Sequence, residues 1–306
     1  MVTDTHGLRE PAFALDLVFE AVAHTLGARP TGIEQRATKP PRYVYEASMP
    51  GAPAVIIKIE HDTGGDDAIV LEAWAMEQAR AHGVPAPRVI TLDVSGKIIP
   101  GRYAIFSRVP GRPMAEPAVH YPLGDLHDSE RRLLAEAGHA LRPLHNIVVA
   151  GYGRLDDDLY LRTGEVRGVA RRWRDATLQP ALAALPSLAA AGAITAAEAR
   201  DLRRLLDERE ELFDDPPSPR LLHGDFDSTH MFVDGDPPHV SGIIDFGDRE
   251  AGDPLWDLAT FALWEDDARL AALVDGYAPD AATARRIERV VPASRGTTSG
   301  CRGGRG

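Results

Sequence analysis

The chain has 306 residues, a formal net charge of -12, 44% apolar residues and 26% charged ones. That length suits one large domain or two lobes, and the acidic balance speaks against a nucleic-acid surface, which carries a basic stripe. The single cysteine, Cys301, excludes an intrachain disulfide framework and a cysteine zinc site. There is no basic-then-apolar leader and no apolar run of membrane-spanning length, so the sequence predicts a cytoplasmic protein without membrane or nucleic-acid partners. It gives no indication of oligomeric state.

Phe13, Leu15, Leu17, Val18, Ala21, Val22 and Leu26 recur at helical spacing and predict a helix over 11–28. Strand-like runs follow at 42–48 and 54–59, joined by the turn MPGAP. A helix over about 67–82 stops at GVPAPR, because proline cannot continue it. Strands at 88–93 and 102–109 complete a β-rich first third, and PGRPM at 110–114 punctuates the chain. Segments rich in Ala, Leu, Arg and Glu predict helices at 129–145, 167–183 and 196–213. Short strands return at 230–234 and 240–245 around the turn GDPPH, and a helix begins near Pro254. The Gly/Arg-rich end RGTTSGCRGGRG has the composition of disordered chain. The predicted class is α+β. A small β-rich N-lobe covers 1–106 and a larger, mainly helical C-lobe covers 107–285, with a hinge near 107–113. A disordered tail covers 286–306, and a ligand cleft between the lobes is expected.

Lys58 lies in AVIIKIE, behind four apolar neighbours. Two readings are open. It is an edge-strand lysine whose amine reaches water, or a phosphate-binding lysine held by Glu72 or Glu77 of the next helix. In LLHGDFDSTHMFVDG (221–235), Asp225 follows a sharp turn at Gly224, where a carboxylate can accept or orient a hydroxyl proton. In IIDFG (243–247), Asp245 ends an apolar strand, a position suited to a hard cation such as Mg2+. Taken alone, each aspartate reads first as a turn residue. Together the residues fall in the order that phosphoryl transfer needs: strand lysine, helix glutamate, carboxylate at the attacking hydroxyl, metal-ligand carboxylate.

The motifs LEAWAMEQARAHGVPAPRV (71–89), YAIFSRVPGRPM (103–114), LLHGDFDSTHMFVD (221–234) and GIIDFGDREAGDPLWDLA (242–259) carry a family resemblance. Over about 30–275 the chain resembles the aminoglycoside phosphotransferase family of kinase-like small-molecule phosphotransferases. The resemblance implies a protein-kinase-like two-lobe fold. It implies transfer of the γ-phosphoryl group of ATP or GTP to a hydroxyl of a small molecule, with Mg2+ or Mn2+. The acceptor would be an aminoglycoside-like or other antibiotic, with a role in resistance, or an ordinary metabolite. Asp225 would be the catalytic carboxylate, and Lys58, paired with Glu72, would hold the nucleotide phosphates. Phe106, Ser107 and Arg108 would meet the nucleobase, His230 and Asp245 would bind metal, and Asp257 would bond the backbone near the active loop.

Departures from the family pattern bear on this assignment. His230 stands where the family most often has asparagine; imidazole suits Mn2+ better than Mg2+, and the other reading is a hydrogen bond to a loop carbonyl. The phosphate loop, EQRATKPPRYVYEA, has no glycine, which leaves Arg36, Lys39 or Arg42 to meet phosphates. Asp248, Glu250, Glu265, Asp266 and Asp267 are either a solvated face or a ring attracting a polycation. Two other functions stay open: a non-catalytic kinase-like binding module, and a metal-dependent hydrolase using His223, Asp225, His230 and Asp245, in which Lys58 has no role.

Overall fold

The computed structural model describes residues 15–39, 42–60, 69–115, 125–216, 218–281 and 283–287. The chain divides into two compact units. One takes the described residues up to Ala73 together with Arg88–Arg108; the other takes Trp74–Pro87 and the described residues from Val109 onward.

The first unit contains α1 (Leu15–Leu26), β1 (Gly32–Lys39), β2 (Arg42–Met49), β3 (Ala52–Glu60), the start of α2 (Ile69–Ala81), β4 (Val89–Asp93) and β5 (Arg102–Ser107). The five strands form an antiparallel sheet in the order β1-β2-β3-β5-β4. Side chains alternate across β3. Val55, Ile57 and Ile59 are buried in one core cluster with Val18, Ala21 and Val22 of α1. Burial of each large aliphatic side chain contributes about 1.5–3 kcal/mol. Lys58 falls on the opposite face. It is in register with Val44 of β2 and Ala104 of β5, so it occupies the middle strand and is not an edge-strand lysine.

The stretch read as a phosphate loop is mostly sheet. Residues 34–39 lie in β1 and 42–47 in β2, and only 40–41 fall outside the described residues. Glu34, Gln35, Arg36 and Ala37 are all exposed, so no apolar alternation marks β1; its pairing with β2 makes it a strand. Arg36 lies 3.1 Å from Glu34 and 2.9 Å from Glu46 in ion pairs, and the side chain of Lys39 lies outside the described residues.

The second unit runs through β6 (Arg112–Pro113), α3 (Asp128–Leu144), β7 (Tyr152–Leu155), α4 (Asp157–Thr163), β8 (Gly168–Ala170), α5 (Trp173–Ala176), α6 (Leu178–Ala190) and α7 (Ala196–Glu208). It continues through β9 (Arg220–Leu222), β10 (Met231–Asp234), β11 (His239–Ile243), β12 (Glu250–Gly252), α8 (Leu255–Trp264) and α9 (Asp267–Tyr277). Its small sheets have the orders β11-β10-β6 and β8-β7-β12-β9. The helix predicted over 167–183 is instead β8, α5 and α6, because Gly168 and Ala170 pair with β7. The helix predicted over 196–213 ends at Glu208 and is followed by a 3-10 turn, Glu210–Phe213. Of the tail predicted over 286–306, Arg286 and Ile287 are helical and the remainder lies outside the described residues.

α3 buries Leu133, Leu134, Ala137, Gly138, Leu141 and Leu144 along one stripe. α9 packs on it with the backbones in contact. A Cβ at Gly138 would overlap the Leu273 carbonyl, and one at Gly276 would overlap the Ala135 carbonyl. This close approach brings Tyr277, at the end of α9, to His145, just past the end of α3.

Candidate active site

The start of α2, which belongs to the first unit, is largely buried: Ile69, Val70, Leu71 and Ala73 are all core residues. Glu72 is buried among them, and its Oε1 lies 2.5 Å from Nζ of Lys58. A buried carboxylate needs such a partner. Glu77 is exposed, so the partner is Glu72. At the end of β5, Phe106 is buried, and the Ser107 amide donates to the Arg88 carbonyl at 2.9 Å. The Arg108 amide donates to the Ala54 carbonyl at 3.4 Å, and its guanidinium pairs with Glu46 at 3.1 Å.

In the second unit, β9 delivers the chain to a turn at Gly224, whose φ is +87° and whose Cβ would overlap the Asp248 carbonyl. Only glycine fits there. The half-exposed side chain of Asp225 follows. The turn is held from below by Asp257 of α8, which is fully buried. Asp257 accepts from the His223 amide (Oδ2, 2.8 Å) and from the Gly224 amide (Oδ1, 2.8 Å). The backbone-bonding role predicted for Asp257 is the one these bonds give it. Its Oδ2 also meets Nε2 of buried His145 at 2.9 Å, and His145 Nδ1 meets the Tyr277 hydroxyl at 2.9 Å. Burial pushes the Asp257 carboxyl up, but the bond and charge of His145, with His223, outweigh it and hold the group below its ordinary value.

His223 is wholly buried, and its Nε2–H donates to the Ile244 carbonyl at 2.9 Å. The ring packs on Phe246 and Phe226, with centroids 4.8 and 5.7 Å away. Burial, then the neighbouring His230, push its pKa down and keep it neutral. It is a structural member of the loop, and the hydrolase reading loses one of its four groups.

His230 and Asp245 are brought together by a hairpin. His230 precedes β10, Asp245 follows β11, Met231 pairs with Ile243, and the Ile244 amide donates to the His230 carbonyl at 2.9 Å. Nδ1–H of His230 donates to the Asp225 carbonyl at 2.8 Å, and the other ring nitrogen, Nε2, lies 3.8 Å from Asp245 Oδ2. The hydrogen bond to a loop carbonyl read for His230 is therefore present, made by Nδ1. Asp245 has φ 64°, a left-handed conformation costing about 1 kcal/mol for a residue with a Cβ and one that aspartate visits more readily than most.

Asp225, Asp227 and His230 also offer ligand atoms within 4.8 Å of one another. That edge is a hydrogen-bonded turn: Asp227 Oδ1 accepts from the Thr229 amide at 2.7 Å and the Thr229 hydroxyl at 2.6 Å. The opposite edge sets an imidazole nitrogen beside a carboxylate oxygen, two atoms that could serve as ligands to one divalent cation. Burial raises the pKa of Asp225; His230 opposes this, while Asp227 and Asp248 reinforce it. A raised carboxylate pKa suits a group that takes a proton.

Two of the five acidic residues read as either a solvated face or a cation-attracting ring are engaged with an arginine of the fold. Glu265 is buried 3.8 Å from Arg269, and Asp266 caps α9 and pairs with the same guanidinium, which also bonds Glu130 at 2.7 Å. Burial pushes Glu265 up to about 7, against the opposing effect of Ser228 and Arg269. Elsewhere in this unit, Trp173, Leu185, Leu205, Leu206, Phe213 and Trp256 help line an apolar cavity of about 470 Å³ that includes none of the predicted site residues.

The model of the phosphotransferase enzyme family matches residues 43–288. Among solved structures, macrolide 2'-phosphotransferase MphH of Brachybacterium faecium is 20% identical, with TM-score 0.53 and coverage of 91% of this chain and 89% of that one. Aminoglycoside phosphotransferase APH(3'')-Id of Streptomyces rimosus is 18% identical, with TM-score 0.53 and coverage of 91% and 98%. The GDP complex of aminoglycoside 2'-phosphotransferase-IIIa is 13% identical, with TM-score 0.59 and coverage of 91% and 88%. At these identities the neighbours establish the kinase-like α+β fold. With that fold in place and the family model spanning most of its length, the chain belongs to the phosphotransferase enzyme family.

Proposed function

We propose that this chain transfers the γ-phosphoryl group of ATP or GTP to a hydroxyl of a small molecule, with Asp225 as the group that receives or orients the hydroxyl proton. The observation that carries the reading is the half-exposed Asp225 on a backbone pinned by buried Asp257. Such a carboxylate is fixed in place yet open to an acceptor, as proton transfer in the transition state requires. Lys58 is held by Glu72 at a set position and presents an ammonium suited to phosphate oxygens. The bond from the γ-phosphorus to the bridging oxygen breaks and one to the acceptor oxygen forms. The nucleoside diphosphate leaves, and the acceptor proton passes to Asp225. His230 Nε2 and Asp245 would hold Mg2+ or Mn2+, which when bound neutralises charge on the phosphates. The GDP-bound neighbour supports a nucleotide donor.

The acceptor class follows less directly. Neighbours are phosphotransferases of macrolides and of aminoglycosides. With Glu265 and Asp266 committed to Arg269, a hydroxylated acceptor of low positive charge suits this chain better than a polycation. The test is transfer of label from the γ position of ATP and GTP across a panel of macrolides, aminoglycosides and metabolite alcohols. Label on an acceptor supports the reading. Release of inorganic phosphate alone, at the same rate with every acceptor, would overturn it.

A further inference from the structure

The fold suspends the loop bearing Asp225 from a chain of buried hydrogen bonds that ends 132 residues away from its middle member. Tyr277 Oη meets His145 Nδ1 at 2.9 Å, and His145 Nε2 meets Asp257 Oδ2 at 2.9 Å. The same Oδ2 accepts the His223 amide and Oδ1 the Gly224 amide, each at 2.8 Å. Exposure is 6% for Tyr277, 4% for His145 and 0% for Asp257 and His223, so water does not substitute for any of these partners. Asp257 is ionised and can only accept, so His145 must present Nε2–H to it. The other ring nitrogen, Nδ1, faces the Tyr277 hydroxyl, which fixes the rotation of the ring. The tyrosine ring also meets the imidazole edge-on, with centroids 5.5 Å apart.

We propose that Tyr277 is a positioning residue for the His223–Gly224–Asp225 turn, acting by holding the His145 ring aimed at Asp257. Asp257 has no other side-chain donor in this chain of bonds, and both of its oxygens are needed for the two loop amides. A rotated His145 ring turns the carboxylate, and the turn with it. Gly138 and Gly276 are part of this arrangement, because without their close approach the hydroxyl does not reach Nδ1. The consequence for turnover rests on the phosphotransfer reading; the consequence for the loop does not.

The test is Tyr277→Phe, which keeps the ring and removes only the hydroxyl, read by amide hydrogen exchange in the full chain. The His223 and Gly224 amides are expected to exchange about tenfold faster, on the scale of one lost hydrogen bond, while amides of β10 and β11 keep their protection. Uniform acceleration throughout the second unit, or no change at His223 and Gly224, overturns the proposal. His145→Gln supplies an N–H to Asp257 with no ring to hold. In that background Tyr277→Phe should add nothing at the two amides, and full additivity counts against the mechanism. Where an acceptor is in hand, Tyr277→Phe should lower kcat about tenfold at unchanged nucleotide KM. If exchange responds as stated and no acceptor is ever phosphorylated, the phosphotransfer reading fails and the positioning role stands.

Discussion

Asp257→Asn is the substitution for which the structure gives the sharpest expectation. Three donors converge on two carboxylate oxygens: His145 Nε2–H and the His223 amide on Oδ2, and the Gly224 amide on Oδ1. Asparagine offers one acceptor oxygen and one donor NH2. Its best orientation keeps the oxygen toward His145 and His223 and turns the NH2 against the Gly224 N–H. A hydrogen bond to a charged group, worth about 1.5–3 kcal/mol, is lost, and a buried N–H is left without an acceptor. The combined cost is about 3 kcal/mol, which for a chain of this size lowers Tm by about 6–12 °C. The pH dependence gives a second check. The Asp257 carboxyl sits below its ordinary value of 3.8, so its contribution is present above that value and is lost as pH falls through the folded-state pKa. The gap in Tm between wild type and Asp257→Asn should therefore stay flat from about pH 8 to about pH 5. Calorimetry across that range measures it. A gap under about 2 °C, or one that closes already by about pH 6, refutes the reasoning.

Glu265→Gln should have the opposite pH signature. A carboxyl raised from 4.5 to about 7 favours the fold below 4.5 and loses that advantage as pH rises through about 7; at ~1.4 kcal/mol per unit the full span is worth about 3 kcal/mol. Wild type should thus lose stability relative to Glu265→Gln between those limits, as parallel melts at acidic and mildly basic pH will show. Lys58→Met should leave the buried Glu72 carboxylate unpaired, costing about 3–5 kcal/mol, and a second change, Glu72→Gln, should restore much of the melting temperature but none of the nucleotide affinity measured by calorimetric titration. His230→Asn replaces an imidazole nitrogen by an amide oxygen facing Asp245. The ratio of Mn2+- to Mg2+-supported turnover should fall, and an unchanged ratio would remove His230 from the metal's ligands.

Much of this was legible in the chain because its signals are local. The apolar run AVIIKIE marked a strand through Lys58, though not its central place in the sheet, and HGD and IIDFG flank a hairpin whose closure sets His230 against Asp245. The helix starting near Pro254 was legible, and the family resemblance of DPLWDLA implied the bond from Asp257 to the loop backbone. What escaped notice lacks a local signal. β1 has exposed side chains at Glu34 through Ala37 and so no apolar period, and β6, β9 and β12 are two or three residues long. The 167–183 segment has helical composition, yet Gly168 and Ala170 pair with β7 and override it. His145 and Tyr277 join the site across 112 and 132 residues, through contacts that only the packing of α9 on α3 creates. The acidic cluster near 265 was visible as composition; that Arg269 neutralises it depends on α3 delivering Glu130 to the same guanidinium.

The central claim is that Asp225 acts on the acceptor hydroxyl and not on the nucleotide. The measurement that tests it most directly is kcat and nucleotide Kd side by side for wild type and Asp225→Asn, an exchange of one oxygen for NH2 at a half-exposed side chain that leaves the Asp257 bonds in place. The account predicts loss of kcat by about 10²–10⁴-fold with nucleotide Kd unchanged within about twofold. Retained turnover, or a loss explained wholly by weaker nucleotide binding, would contradict it.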